Sequence, residues 1–335
     1  MDVPVLGPFI VTFDQTVAPG FLKAEEKIEA ERFYARWLMN GETGEIMING
    51  TEKILKYELE KYDKHIRKFP NLARLAFDDI GLNVSLFGRF ENDELKILEH
   101  NVFNKIDCLN SACLDIGANI GNHSVFFANF FSKVECFEPH PDNYYLLKFN
   151  TRKFKNVRTF NFGASDIDEI KYIYVTKETD MGRTTLLAER VEEEKINKIK
   201  VELKNLDNFL KENKEKKIKF IKIDIEGYEY KALMGLKDIL SNDSPIIAIE
   251  QWIDQFDNNT KTPPSIDFLK KNDYNFFYEP LFFKRKKGKN KVIRALNKII
   301  FFLQIIFESN KINLCKLKKI EKFESKPYPM IIASK

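Results

Sequence analysis

The sequence predicts an α/β fold whose sheet is mostly parallel, covered by helices on both faces and joined by an antiparallel C-terminal strand. Three observations carry the prediction. Beyond Ser111, short apolar runs alternate with stretches of helical spacing. A glycine turn from Gly117 to Gly121 follows the first of those runs, and an acid, Glu138, ends the second. Such apolar runs suit parallel strands, which are buried on both faces.

In chain order, Ala112 to Ile116 is the first strand, and Asn122 to Phe131 the helix after it. Val134 to Phe137 follows as strand, Asn143 to Thr151 as helix and Val157 to Phe162 as a third strand. A hairpin is expected next, with Lys171 to Val175 as one arm, where a doubly wound sheet would place a helix. Glu189 to Lys200 is charged and is read as a solvated stretch. Phe220 to Ile225 is the fourth strand, Tyr228 to Leu240 a helix, Ile246 to Glu250 the fifth strand, and Tyr328 to Ala333 the last. Ahead of this region, Phe21 to Met39, Ile54 to Phe69 and Asn92 to Phe103 have helical spacing. The expected organisation is an N-terminal helical extension (1–91), a main domain (92–283), a basic hydrophobic insertion (284–326) and a terminal strand (327–335). The extension can serve as a cap over a substrate, or equally pad the sheet or make an oligomer contact.

A chain of 335 residues, 44% hydrophobic, can bury a full core. Cys108, Cys113, Cys136 and Cys315 form no CxxC pair and read as reduced thiols. No apolar run opens the sequence as a signal peptide would, so the expected compartment is the cytoplasm. Charge is uneven: from Leu281 to Lys335 there are 15 Lys or Arg against 3 acids, while the chain as a whole is +4. That polarity suggests a local partner for the tail rather than a protein basic throughout.

The sharpest motif is Leu114-Asp115-Ile116-Gly117-Ala118-Asn119-Ile120-Gly121. Gly117 permits a close backbone turn, and Gly121 lets a helix start near a ligand. The D-x-G-x-x-x-G spacing departs from G-x-G-x-x-G, which weighs against a nicotinamide cofactor. Asp115 can accept from a charged amino group or from the turn itself. Glu138 follows Gly121 by 17 residues, at a strand end, where a carboxylate can accept both hydroxyls of a ribose. Phe162 or Ala164 can wall an adenine, although a Ser165-Asp166 turn explains that stretch equally well. His140, between two prolines, is expected to shape its loop.

The second motif is Lys222-Ile223-Asp224-Ile225-Glu226-Gly227. Strand periodicity puts Lys222, Asp224 and Glu226 on one face, and a central strand tolerates such charges only beside partners, water or a ligand crevice. Asp224 is the first candidate for a base, with Glu250 from the adjacent strand as its neighbour. Glu226 is either a rival base or the acid capping the next helix. Lys222 is read as an ion-pair partner of Asp224. The three carboxylates also offer oxygen ligands to a divalent cation, with His123 as a further ligand, but no zinc-type spacing accompanies them, and no metal site is assigned.

Taken in order, Leu114 to Ser124, Cys136-Phe137-Glu138-Pro139 and Lys222 to Glu229 closely resemble the FkbM family of methyltransferases, over roughly Asn92 to Trp252. The resemblance implies a seven-strand Rossmann-like methyltransferase fold, S-adenosylmethionine as cofactor, and O-methylation of natural products or of sugars on glycans and glycolipids. It gives Gly117 and Gly121 to the methionine loop and Glu138 to the ribose. Asp115, Asn119, Asn122 and Ala164 complete the expected cofactor site, with Asp224, Glu226 and Glu250 as the catalytic candidates. An RNA methyltransferase and a non-enzymatic binding protein are the alternatives. The basic tail favours the first, yet no zinc finger or RNA-recognition motif accompanies it. The apolar run Ile299 to Phe307 is shorter than the roughly 20 residues of a spanning helix. With Lys284, Arg285, Lys286 and Lys287 before it, the run suits peripheral contact with an anionic inner membrane surface, or a core helix with solvated flanks.

Overall fold

The computed structural model describes residues 68–74, 79–176, 184–185, 196–213, 215–256, 262–281 and 316–335. The helical readings over Phe21 to Met39 and nearly all of Ile54 to Phe69, the membrane-contact segment and Cys315 lie outside these residues. The chain divides into two compact units, Met1–Phe90 and Glu91–Lys335. In the first, helix α1 (Asp79–Phe87) ends at Gly88, whose N–H donates to the Val84 carbonyl at 2.9 Å.

The second unit opens with helix α2 (Asn92–Asn101) and a 3-10 turn over Phe103–Lys105. Strand β1 (Ala112–Ile116), helix α3 (Asn122–Phe127), β2 (Lys133–Phe137), α4 (Pro141–Thr151) and β3 (Val157–Phe160) follow. Next come β4 (Gly163–Ser165), β5 (Glu169–Thr176), β6 (Thr184–Thr185) and β7 (Ile196–Asn205). Helix α5 (Leu206–Asn213) leads to β8 (Ile218–Ile223), then α6 (Glu229–Met234), α7 (Lys237–Asn242) and β9 (Ile246–Gln251). Helix α8 (Pro264–Lys271), β10 (Phe276–Leu281), β11 (Lys316–Lys319) and β12 (Tyr328–Ser334) complete the chain.

Eight strands form one sheet in the order β11-β10-β12-β9-β8-β1-β2-β3. From β3 to β9 every pairing is parallel, and β12 runs antiparallel between β9 and β10. This is a Rossmann-like sheet, mostly parallel with an antiparallel C-terminal strand. Alternation along the strands divides the core in two. Leu114, Ile116, Ile221, Ile223 and Ile249 pack with α5, α6, α7 and α8 on one face. Cys113, Cys136, Phe220 and Ala248 pack with α2, α3 and α4 on the other. Phe103 stands edge-on to Phe127 and Phe220 there, with ring centroids 5.8 and 5.0 Å away. Cys108, Cys113 and Cys136 are buried free thiols.

Several boundaries differ from the sequence reading, each for a local reason. The third strand stops at Phe160 because the Asn161 side chain donates to the carbonyls of Glu138 (2.9 Å) and Pro139 (3.1 Å) and bends the chain away. The fourth ends at Ile223, so Asp224 and Glu226 ride on the loop beyond it rather than on a strand face. The helix expected over Tyr228 to Leu240 breaks at Gly235, whose carbonyl accepts from Asp207 N–H at 2.8 Å. The charged stretch Glu189 to Lys200 is not wholly solvent-side filler. From Ile196 it enters β7, the antiparallel partner of β5 in a second, four-stranded sheet ordered β4-β7-β5-β6. The basic insertion also returns to the main sheet before its expected end, as edge strand β11.

Candidate functional site

The site is assembled at the carboxyl ends of β1, β2, β8 and β9, on the face covered by α2 and α3. Asp115, at 0% exposure, accepts from Ser124 Oγ at 2.6 Å through one oxygen, while its other oxygen has no hydrogen-bond partner. Gly117 turns the chain at φ 79°, and a Cβ there would lie 1.9 Å from the Asp224 carbonyl oxygen. Glycine is thus required for both conformation and space. Gly117 and Ala118 N–H both donate to the Phe137 carbonyl, at 3.0 and 3.1 Å. Asn119 (φ 49°) and Gly121 (φ 89°) continue the turn, and the Asn119 side chain accepts from Ile120 N–H at 2.7 Å. Asn122, nearly buried, starts α3.

Glu138 faces this turn. One of its oxygens accepts from Asn119 N–H and the other from His140 N–H, each at 2.8 Å. A carboxylate has about four acceptor positions, so each oxygen keeps one for a ribose hydroxyl. Burial pushes its pKa up to about 7, against the lowering by those two amides. His140 shapes its loop as expected. Its Nδ1 caps α4, accepting from Asp142 N–H at 3.2 Å and Asn143 N–H at 3.5 Å. Asn161, which opens the stretch expected to border the adenine, locks the Glu138-Pro139 turn. Ala164 lies in the core with Phe162 and Leu206.

The other half of the site centres on Lys222. Its ammonium lies 3.1 Å from Asp224 and 3.8 Å from Asp115, and donates to the Gly117 carbonyl at 3.3 Å. Burial disfavours the charge, but Asp224 and Asp115 more than restore it, so Lys222 stays a cation. Asp224 also hydrogen-bonds Glu250. Burial would raise its carboxyl; Lys222 and Glu250 outweigh that and hold it below the ordinary range. Glu250 moves the other way, raised strongly by burial and by the Asp224 charge. The pair therefore carries one proton, on Glu250, and leaves Asp224 ionised. Trp252 Nε1 donates to Glu250 Oε2 at 3.0 Å.

Glu226 adopts φ 55° and Gly227 φ 108°. The helix that follows has Tyr228 at its N-cap and no side-chain cap there, while Glu229 in its first turn accepts from the loop N–H groups of Ile225 (3.3 Å) and Gly227 (3.0 Å). Asp224, Glu226 and Glu250 each bring an oxygen within 4.8 Å of the others, close enough to share a cation. Lys222, the shared proton and the Trp252 indole already answer two of the three carboxylates. A narrow cleft, partly open to solvent, extends from Asp224 and Glu250 past His123, Glu91 and Glu94 to Leu95, Leu98 and Met330. His123 Nε2 is 3.2 Å from Glu91. Burial, with Glu91 and Asp93 nearby, raises Glu94 to about 7.

The glycine cradle at Gly117 and Gly121, the half-satisfied Asp115 and the doubly accepting Glu138 are a set of groups that S-adenosylmethionine would fit. Residues 115–276 match the methyltransferase FkbM domain. Among solved structures, the chain is similar to the FkbM methyltransferase of Methylobacillus flagellatus (16% identity, TM-score 0.39, covering 70% of this chain and 57% of that one). It is also similar to an O-methyltransferase from Bacillus cereus (13%, TM-score 0.36, 73% and 80%) and an rRNA methylase from Streptococcus thermophilus (11%, TM-score 0.35, 71% and 94%). The chain thus spans under two thirds of the Methylobacillus protein. No curated protein matches it. Among the described residues, no helix is long and apolar enough to cross a membrane.

Proposed function

We propose that the chain methylates a hydroxyl of a sugar, glycolipid or small natural product, with Asp224 as general base. The observation that carries this reading is the contact between the two halves of the site. The loop bearing Asp224 is packed so tightly on the cofactor turn that Gly117 has no room for a Cβ. Gly117, Gly121 and Asp115 would hold the methionine end of the cofactor, and Glu138 the ribose. S-adenosylmethionine, when bound, supplies an electrophilic methyl group and leaves as a neutral thioether. Asp224, kept ionised by Lys222, accepts the acceptor's proton as its oxygen bonds to the methyl carbon. Glu250 holds its own proton and orients Asp224. The close packing of the base loop on the turn would keep Asp224 and the cofactor in fixed register, and alignment alone can supply much of the rate. The carboxyl groups of Glu91, Glu94, Asp224 and Glu250 in the cleft lining offer hydrogen-bonding partners to the hydroxyls of a neutral polyol.

Asp224→Asn tests the reading. Turnover with methyl-labelled S-adenosylmethionine should fall about a hundredfold or more, while cofactor affinity measured by calorimetry stays within about twofold. Equal loss of affinity and turnover would make Asp224 a binding residue instead. Offering glycan, lipid and RNA fractions in parallel identifies the acceptor class, and label appearing in RNA alone would overturn the sugar reading.

A further inference from the structure

A chain of hydrogen bonds closes a ring between the exits of β8 and β9. The Trp252 indole donates to Glu250, and Trp252 backbone N–H donates to Gln255 Oε1 at 2.7 Å. Gln255 Nε2 donates to Glu229 Oε2. Glu229, at 0% exposure, uses its other oxygen for Gly227 and Ile225 N–H, the loop amides that follow Asp224. Asp224 then returns to Glu250 through their own hydrogen bond. The Gln255 amide can serve this ring in one orientation, because Trp252 N–H needs its oxygen and Glu229 its NH₂. The loop so held contains two consecutive positive-φ residues, Glu226 and Gly227, a shape that persists only where its surroundings impose it.

We propose that Glu229, Gln255 and Trp252 are positioning residues that fix Asp224 and Glu250 at the separation proton transfer requires. This rests on Asp224 being the base. Glu229 sets the loop, Gln255 ties the loop to the β9 exit, and Trp252 orients Glu250. None of the three is a catalytic residue.

The polarity of the ring supplies the test. Gln255→Glu sets two carboxylates against each other, and Glu229→Gln sets two NH₂ groups against each other. In the double variant the new amide at 229 donates to the new carboxylate at 255. That carboxylate still accepts from Trp252 N–H, and the loop amides keep an oxygen acceptor. Turnover is measured with methyl-labelled S-adenosylmethionine and the neutral glycan fraction that the unsubstituted protein labels. Each single variant should lower kcat about tenfold to a hundredfold, with cofactor Kd changed by no more than about twofold. The double should recover to within about threefold. The chain has two tryptophans, so in a Trp37→Phe background the emission reports Trp252 alone. It should change in each single variant and return in the double. Gln255→Met, at a partly exposed turn position, removes both Gln255 bonds without adding charge and replaces any single variant that does not fold. Unchanged kcat in the folded single variants, or a folded double no better than the worse single, overturns the proposal. If the unsubstituted protein labels no glycan, the sugar reading fails instead. Trp252 emission then decides the ring: loss and recovery support it, and an unvarying spectrum overturns it.

Discussion

Gly117→Ala probes how closely the cofactor turn and the base loop are joined. The added Cβ would meet the Asp224 carbonyl oxygen at 1.9 Å and Ile225 Cγ2 at 2.8 Å. Ordinary contact starts near 3.4 Å, so the Asp224 backbone must recede by about 1.5 Å or the turn must open. The φ of 79° adds a left-handed penalty of about 1–2 kcal/mol for a residue with a Cβ. Overpacking at a tight site adds about 1–3 kcal/mol. The sum of about 2–5 kcal/mol, at roughly 2–4 °C per kcal/mol for a domain of this size, lowers Tm by about 4–20 °C. A misplacement of about 1 Å can cost about a hundredfold in rate, so turnover should fall at least that far in protein that remains folded. Scanning calorimetry gives the Tm, titration calorimetry the cofactor affinity, and labelled transfer the rate. A variant melting within about 1 °C of the parent, with unchanged affinity and turnover, would refute the tight packing from which these magnitudes follow.

Glu138 must be ionised to accept two ribose hydroxyls, and its pKa is pushed up to about 7. Cofactor affinity should therefore weaken as pH falls below about 7, approaching tenfold per unit, and Glu138→Gln should bind weakly with no such dependence. Calorimetry showing flat parental affinity from about pH 8 to 5.5 would contradict this. Lys222→Met removes the cation 3.1 Å from Asp224, whose carboxyl then rises from its depressed position. Because only ionised Asp224 takes the proton, the acid limb of kcat should move to higher pH, and an unmoved limb would show that Lys222 does not set it. His140 caps α4 through a neutral Nδ1, and burial lowers its pKa below 6.5. The cap's contribution, about 0.5–2 kcal/mol, is present above that ordinary value and lost as pH falls through the folded one. His140→Asn should keep the cap and lose this share of the pH dependence of Tm, which pH-resolved melting measures.

The cofactor half was legible because it depends on local sequence. Strand, glycine turn and helix follow one another from Leu114 to Ser124, and Glu138 ends the next strand. The proton half was legible only as a collection of acids. Which of them is ionised depends on Lys222 lying between Asp115 and Asp224, and β1 and β8 are brought together across more than a hundred residues. Glu226 was placed on a strand face because period-2 alternation continues through it, but positive φ at Glu226 and Gly227 ends the strand earlier. Glu229 carried a weak signal, an acid in the first turn of a helix. Gln255 carried none, since a lone amide becomes informative only when its partners on other elements are known. The second sheet was half-seen, because β7 begins inside a run of charges that reads as solvated.

Strand register explains why these residues form one site. Asp115 on β1 is level with Cys136 on β2 and Lys222 on β8, and Lys222 is level with Ala248 on β9. Two residues farther on, the same face presents Glu138 from β2, Asp224 from the β8 loop and Glu250 from β9. The lower layer holds the buried Asp115–Lys222 contact, and the upper layer holds the proposed ribose acid, the proposed base and its partner Glu250. Neighbouring strands lie about 4.8 Å apart, so ribose acid and base are separated by a few strand spacings, with the Gly117 turn between them. A cofactor held at that turn would present its reactive end toward the cleft. Among the described residues lining that cleft, Glu91 and Asp224 face Lys222 and His123, while Glu250 holds its proton. A phosphate-rich acceptor entering the cleft would meet like charge, whereas a polyol would meet acceptors for its hydroxyls.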